Sequence, residues 1–450
     1  MTTIALVVFI LAIPLSIGSF FVMRPLTASL IVILGAEMFL PEDLTFKVAL
    51  LPELGKHNLF YLCVLTGCLF RCPRQITKAS GWFWLFVTTA VVGGGLTGLT
   101  NGDALMFGGE GGRFFRGLGL KDGLFVGVSE LFPSLIALQV GYALVRTAED
   151  VEKVLVAMAV GGLIYCPFAI IEMRMSPQFH QWVYGYNTGD FIQTIRYGGY
   201  RPKVFMLHGL VVARFFLMAT VALFALCKTR RNLFGVPIHL WAWFQLVVLV
   251  LCRSTGAAIQ AVIGVIFVSF VKPKRQLLFA SVLSLATLLY PVLRATDVFP
   301  VAGVLDFSRV FGADREQSMA FRFENEDRLF ARARERIWFG WGNGRCRVYD
   351  ETGTDISITD GYWIISLGVA GVVGFFTSFG SLLGPVLLGR RRLAAQAEGT
   401  EKSQLAAIAL LIGLAGTDLI PNGLPSVTAY LLSGALGRRL AELKATGAAS

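Results

Sequence analysis

Apolar runs close to twenty residues long recur along the chain, separated by short polar or charged breaks. At about 1.5 Å of rise per residue, about 20 apolar residues cross the roughly 30 Å hydrocarbon layer of a bilayer, so the pattern predicts spanning helices. The runs fall near 3 to 22, 26 to 40, 57 to 70, 80 to 98, 122 to 145, 154 to 171 and 205 to 227. They continue near 236 to 252, 255 to 271, 276 to 293, 360 to 388, 403 to 419 and 424 to 437, about thirteen in all. The first has no basic residue ahead of it and runs past Pro14 into further hydrophobic sequence, so it is expected to stay as an anchor rather than be cleaved.

Lysine and arginine in short connections are retained on the cytoplasmic side. Alternate loops carry them: Arg24; then Arg71, Arg74 and Lys78; Arg146 and Lys153; Lys228, Arg230 and Arg231. The same parity holds for Lys272, Lys274 and Arg275, then Arg390, Arg391 and Arg392, then Arg438, Arg439 and Lys444. These loops are expected inside. The loops near 41 to 56, 99 to 121, 172 to 204, 253, 294 to 359 and 420 to 423 are then expected outside.

Composition agrees with this reading: of 450 residues, 55% are hydrophobic and 15% charged, and the mean hydropathy is +0.66, more apolar sequence than a soluble enzyme needs. The net charge of +11 lies largely in the inner loops, where orientation accounts for it, so no nucleic-acid partner is expected. Six of the seven cysteines sit in or beside spans, with Cys346 alone in an outer loop, and no disulfide framework is suggested. Histidines 57, 180, 208 and 239 are scattered, so no metal site is expected.

The segment 294 to 359 is too long for a simple connector. It holds ten arginines, no lysine and eleven acids, with enough aromatics to fold back on the helices rather than stay disordered. Either charge solubilises a surface equally well, but only the planar guanidinium grips a phosphate or carboxylate with two parallel hydrogen bonds. Structural ion pairs with the eleven acids are the other use for these arginines. From Glu316 to Trp338 the pattern predicts a loosely amphipathic helix along the membrane surface, stopped by Gly340, Gly342 and Gly344. With no following Lys-Ser/Thr and no preceding strand, those glycines read as a tight backbone turn at a cavity rim, not a nucleotide loop.

Two further outward features stand out. In "LVLCRSTGAAIQ", Arg253 ends one span and Ser254 and Thr255 begin the next, so a guanidinium, a cap-type hydroxyl and free helix amides meet as an anion site. In "YGGYRPKVFMLHGLVVARFF", Arg201 precedes a span, His208 lies near its outer end, and Arg214 falls deep enough that its charge needs a partner or a polar cavity. Glu130 is the expected partner of Arg214.

The order of these features resembles the O-antigen ligase and O-antigen/exopolysaccharide polymerase superfamily of bacterial inner-membrane glycosyltransferases. "RPKVFMLHG" is similar to that family's Arg-Pro segment entering a middle span, and "CRSTGAAIQAVIG" to its Ser-Arg-Thr/Gly segment. "RLFARARERIWFGWGNGR" followed by "ITDGYWIISLGVAGVVGFF" is similar to its glycine turn, acidic or histidine residue and Gly-rich span. The ligases carry a functional histidine where this chain has Asp360, and Gly361 replaces an asparagine, which leans toward a polymerase.

The resemblance implies an all-α, GT-C-like polytopic membrane protein of about 12 to 13 transmembrane helices with one long, partly helical periplasmic loop. The implied division is transmembrane helices over 1–293, a loop domain over 294–359 covering the active site, and C-terminal helices over 360–450. The implied activity transfers an oligosaccharide from an undecaprenyl-diphosphate donor to an acceptor glycan's hydroxyl, inverting, without metal or other cofactor; a chain-length regulator is a further implied partner. The alternatives are transfer of the glycan to lipid A core and, from another class, a secondary transporter working through Glu130 and Arg214.

The residues fit glycosyl transfer on their own terms. Negative charge grows on the diphosphate as the anomeric bond breaks, and fixed guanidiniums can stabilise it. Arg253 and Arg214 are the catalytic candidates, with Arg201, His208, Arg328, Arg332 and Arg336 as substrate-binding candidates. Asp360 is the candidate base for the acceptor hydroxyl, and a carboxylate there is also suited to cap the following helix. Asp355 and Asp350 are held in reserve.

Overall fold

The computed structural model describes residues 2–48, 52–108, 112–129, 132–196, 198–310 and 312–447. Helices begin with α1 (Thr3–Val22), α2 (Pro25–Phe39), α3 (Lys56–Arg71), α4 (Pro73–Ile76), α5 (Gly81–Thr100) and α6 (Leu120–Ser129). There follow α7 (Phe132–Leu144), α8 (Ala148–Met175), α9 (Phe179–Tyr184), α10 (Gly209–Leu226), α11 (Ile238–Leu251) and α12 (Thr255–Phe270). The last six are α13 (Pro273–Ala295), α14 (Val301–Arg309), α15 (Ala313–Arg334), α16 (Tyr362–Ala395), α17 (Thr400–Asp418) and α18 (Val427–Gly447). Three small antiparallel hairpins join them: β1 (Leu105–Phe107) with β2 (Arg113–Phe115), β3 (Ile195–Arg196) with β4 (Gly199–Tyr200), and β5 (Asn232–Leu233) with β6 (Val236–Pro237).

Six helices, α1, α5, α8, α10, α13 and α16, are long and apolar enough to cross a membrane, and the α6–α7 pair, bent by 47°, would make a seventh. The chain is an all-α, multi-pass membrane protein. The expected count of about thirteen is corrected by helix length. α2, α3, α11 and α12 have 15, 16, 14 and 16 residues. At about 1.5 Å per residue they fall several ångströms short of a roughly 30 Å hydrocarbon layer. An apolar run marks immersion, but it counts as a full crossing only if the backbone stays helical for its whole length. α17 and α18 fall outside the count too: α17 carries Glu401, Lys402 and Asp418 at its ends, and α18 is basic beyond Gly437.

Burial divides these helices. α1 is sheathed in exposed side chains such as Leu11, Leu15 and Val22, as a helix against lipid should be. α10 and the middle of α17 are buried on every face and form the interior. α17 packs against α13, α16, α18 and α10, while α10 packs against α8, α11 and α12. Both ends of this central pair therefore have to resolve their polar groups inside the protein.

The segment between α13 and α16 folds back as expected. α15 occupies the predicted helical stretch, starting three residues earlier and ending four sooner. Beyond it Gly340, Gly342 and Gly344 all take positive φ (69°, 80° and 77°), and the strip from Ile337 to Gly342 lies along a break in α16 at Gly371 (φ 66°). Trp341 N–H donates to the Gly368 carbonyl (2.8 Å), Gly342 N–H to Val369 (2.9 Å), and Val372 N–H to Ile337 (2.8 Å), so backbone groups freed by the break are paired again. A Cβ at Gly371 would come 2.4 Å from the Trp338 backbone, so the close approach itself requires glycine.

Candidate functional site

Arg201 follows β4 and enters α10 through Pro202. Its N–H donates to the Thr194 carbonyl (2.7 Å), which fixes the backbone, and the residue is 6% exposed. Nη2 donates to the Arg253 carbonyl (3.2 Å), while Nε is buried without a hydrogen-bond partner. Burial, then the neighbouring Arg196 and Arg322 guanidiniums, pull Arg201 down to about 10. Among the described residues no carboxylate pairs with it, an expensive state for a buried cation and one that calls for an anion.

The backbone beside Arg201 is under tension. Val204 has φ 53°, costly for a β-branched residue. The carboxylate of Glu172, at the end of α8, holds it there. Its Oε2 accepts from Lys203 N–H (2.8 Å) and Val204 N–H (2.7 Å), and its Oε1 from Gln178 and Phe179 N–H (both 3.0 Å).

Arg253 lies in the tight connection between α11 and α12 with φ 57°. Its Nη1 donates to the Arg196 carbonyl in β3 (2.8 Å). The carbonyl and guanidinium of Arg253 thus bind the hairpin segment from opposite directions. Ser254 occupies the N-cap of α12 but makes no side-chain bond to the helix, contrary to the hydroxyl cap expected there.

Arg214 sits inside α10 with its side chain 7% exposed. Its Nη1 donates to the Leu424 carbonyl and lies 3.5 Å from Asp418 Oδ2, while Asp418 Oδ1 accepts from Asn422 Nδ2 (2.8 Å). The expected partner, Glu130, lies outside the described residues. Among the described residues the acid that meets Arg214 is Asp418, from the end of α17, across the interior.

Arg322, on α15, completes the group. Its Nε lies 3.3 Å from Asp360 Oδ2 and its Nη1 donates to the Pro421 carbonyl (3.5 Å). Its charge is also felt at both Arg201 and Asp418. Asp360 does not cap α16: Gly361 holds that position, leaving the carboxylate, 39% exposed, facing Arg322. A cavity of about 120 Å³ reaches Thr359, the residue before Asp360, and is walled also by Arg347, Asn343, Gly368 and Val369. Asp350 is spent on a local turn, accepting from Thr352 and Thr354, while Asp355 accepts from Ser357 and pairs with Arg347 (3.2 Å).

His208 is the N-cap of α10. Its Nδ1 accepts from Leu210 N–H (3.1 Å), so Nε2 carries the proton toward Gln193 Oε1 (3.2 Å). Burial, then Arg201, Lys203 and Arg196, lower it to about 4, so it is neutral and can offer a substrate no positive charge.

The three loop arginines expected to bind substrate go elsewhere. Arg328 is held on the exposed face of α15 by Glu324 (2.6 Å). Arg332 stacks on Trp341 (3.5 Å to the ring centroid) and pairs with Glu335 (2.6 Å). Arg336 also lies over Trp341 (4.6 Å) and grips Asp103 (3.1 Å). With Arg345, fully buried on the carbonyls of Arg116 and Asp103, Arg332 and Arg336 clamp the glycine turn to the loop after α5.

The assembled site therefore holds Arg196, Arg201, Arg214, Arg253 and Arg322 against Asp360 and Asp418. Arg196 and Arg322 were missed in the sequence. A usable signal for Arg322 is its setting in "FRF": Phe323 is buried, and drags the stripe beside it toward the helices. Nothing comparable marks Arg196. No protein-family model matches the chain, and no curated protein matches it.

Proposed function

We propose that this chain is a membrane glycosyltransferase of the polysaccharide-polymerase type, which moves an oligosaccharide from an undecaprenyl-diphosphate donor to a sugar hydroxyl on the periplasmic side of a bacterial inner membrane. The observation that carries the reading is the buried Arg201 guanidinium, with an unpartnered Nε and no carboxylate partner among the described residues, in a group where five arginines face two acids. Such a group suits an anion with several oxygens, and a diphosphate supplies them.

In the proposed reaction the Asp360 carboxylate takes the proton of the acceptor hydroxyl. The hydroxyl oxygen bonds to the anomeric carbon from one side while the bond to the diphosphate oxygen breaks on the other, inverting the centre. The electron pair leaves with undecaprenyl diphosphate, and Arg201, Arg214, Arg253 and Arg322 stabilise the charge that gathers there. Arg322 reaches both regions and so fits between base and leaving group.

Purified protein incubated with lipid-linked repeat units, with products resolved by gel, tests this. A ladder of lengths supports polymerisation. One block added to a lipid A core would mean the ligase reaction, and solute movement in liposomes without any transferred sugar would mean a transporter.

A further inference from the structure

A cavity of about 300 Å³ lies far along the helices from the arginine group, between the start of α5, the end of α7, the second half of α16 and α18. Its size falls within the roughly 300–1,000 Å³ of small-molecule pockets, and its wall is mainly apolar and aromatic. Six polar side chains interrupt that wall, and two of them, Arg392 and Gln139, have groups without a partner among the described residues. Arg392 stands at the edge, exposed, with no hydrogen bond or ion pair to its guanidinium among the described residues. Gln139 is 5% exposed, and its Oε1 is buried with no partner. The orientation of that amide is fixed, because Nε2 must donate to the Ile76 carbonyl (2.6 Å). An unpartnered acceptor is thus left on a side chain that lines the cavity.

The setting identifies the ligand class. Trp82 and Trp84, both exposed, sit at the same end of α5, as tryptophans do at headgroup depth. Arg390, Arg391 and Arg392 end α16 there, alongside the basic loops after α3 and α7. By the bias of short basic loops this is the cytoplasmic leaflet.

We infer that this cavity is a binding site for an anionic phospholipid with a hydroxylated headgroup, of the phosphatidylglycerol type. An acyl chain lies among the helices, the phosphate meets Arg392, and a headgroup hydroxyl donates to Gln139 Oε1. The inference stands apart from the proposed transfer reaction, whose residues lie elsewhere. Basic clusters at this depth recognise such headgroups by charge, and the buried acceptor adds a demand for a donor that charge alone does not supply.

The test uses full-length protein from bilayers of equal parts phosphatidylethanolamine and phosphatidylglycerol, extracted gently, with retained lipids counted by native mass spectrometry. Wild type should keep one phosphatidylglycerol in preference to phosphatidylethanolamine. Arg392→Ala should lower that occupancy about tenfold, the loss expected for one charge-assisted hydrogen bond. Gly384→Phe, placed where an added Cβ meets nothing within 4 Å, should fill the cavity and abolish retention while the protein stays monodisperse. Arg391→Ala, beside the site but not lining it, should match wild type. Equal retention of both lipids by wild type, or unchanged phosphatidylglycerol in Arg392→Ala and Gly384→Phe, would overturn the inference.

Discussion

Arg322 Nε stands 3.3 Å from Asp360 Oδ2, joining α15 to the residues that open α16, and the same guanidinium donates to Pro421 in the α17–α18 connection. One side chain thus ties three parts of the chain at the point where a base and a leaving group are proposed to meet. Arg322→Ala is expected to slow glycan transfer by about 10²–10³-fold, as for loss of a donor that stabilises developing charge. Asp360→Asn should cost about 10²–10⁴-fold by removing the base. Initial rates with lipid-linked repeat units measure both. Wild-type rates in either variant would rule that residue out of the chemistry.

Arg214 and Asp418 are buried together, so removing one strands the other. Arg214→Met should destabilise the protein by about 3–5 kcal/mol, because it leaves an uncompensated charge. The double variant Arg214→Met with Asp418→Leu should recover much of that stability yet remain inactive. Thermal unfolding in detergent and a transfer assay, run side by side, separate the two roles. Activity restored along with stability would make the pair purely structural.

The membrane class was legible from the first runs of apolar sequence, because twenty apolar residues have few other uses. The crossing count was not, since hydrophobicity records immersion while helix length depends on where the backbone turns, as at Cys252 and Arg253. Arg201, Arg214 and Arg253 were readable because a charge beside or within an apolar run is costly. Among the loop arginines the sequence offered no such contrast. Arg328 and Arg332 differ from Arg322 in which stripe of α15 they occupy, and Arg336 lies just past its end; which partners each meets is settled by tertiary packing. The contact of Arg214 with Asp418 has the same origin: depth along a span is visible in sequence, but which helices adjoin is not.

Lys56 and Glu42 make a prediction about pH. Lys56 Nζ lies 2.7 Å from Glu42 Oε1 and also donates to the carbonyls of Phe205 (2.9 Å), Glu37 and Leu40 (both 3.2 Å). Burial alone would raise Glu42, but Lys56 and then His57 outweigh it and hold the carboxyl at about 2. A folded value below the ordinary 4.5 means the contribution is complete above pH 4.5 and drains away as pH falls toward 2. The size is about 3 kcal/mol, from roughly 1.4 kcal/mol per unit. Melting temperature should decline across that window in wild type and be lower but flatter there in the double variant Glu42→Gln with Lys56→Met. A parallel decline in both would assign the acid sensitivity to other groups.

Glu172 makes a prediction about position rather than charge. Its two oxygens accept four backbone N–H groups, from Gln178, Phe179, Lys203 and Val204, and so hold Val204 at its unfavourable φ two residues after Pro202. Glu172→Gln keeps size and shape but has one oxygen for four donors, and turns an NH₂ toward two of them. The segment 201–204 should then relax, carrying the Arg201 guanidinium off the Arg253 carbonyl. Amide exchange at Lys203 and Val204 is expected to rise by more than tenfold, since hydrogen bonds to a charged acceptor contribute about 1.5–3 kcal/mol each. Transfer should weaken mainly through donor KM, because Arg201 is displaced from an anion it would otherwise hold. Glu172→Asp, which retains the charge on a shorter arm, should restore part of the protection and part of the affinity together. If protection were lost with donor KM unchanged, the tension at Val204 would concern folding alone and Arg201 would have no part in holding the diphosphate.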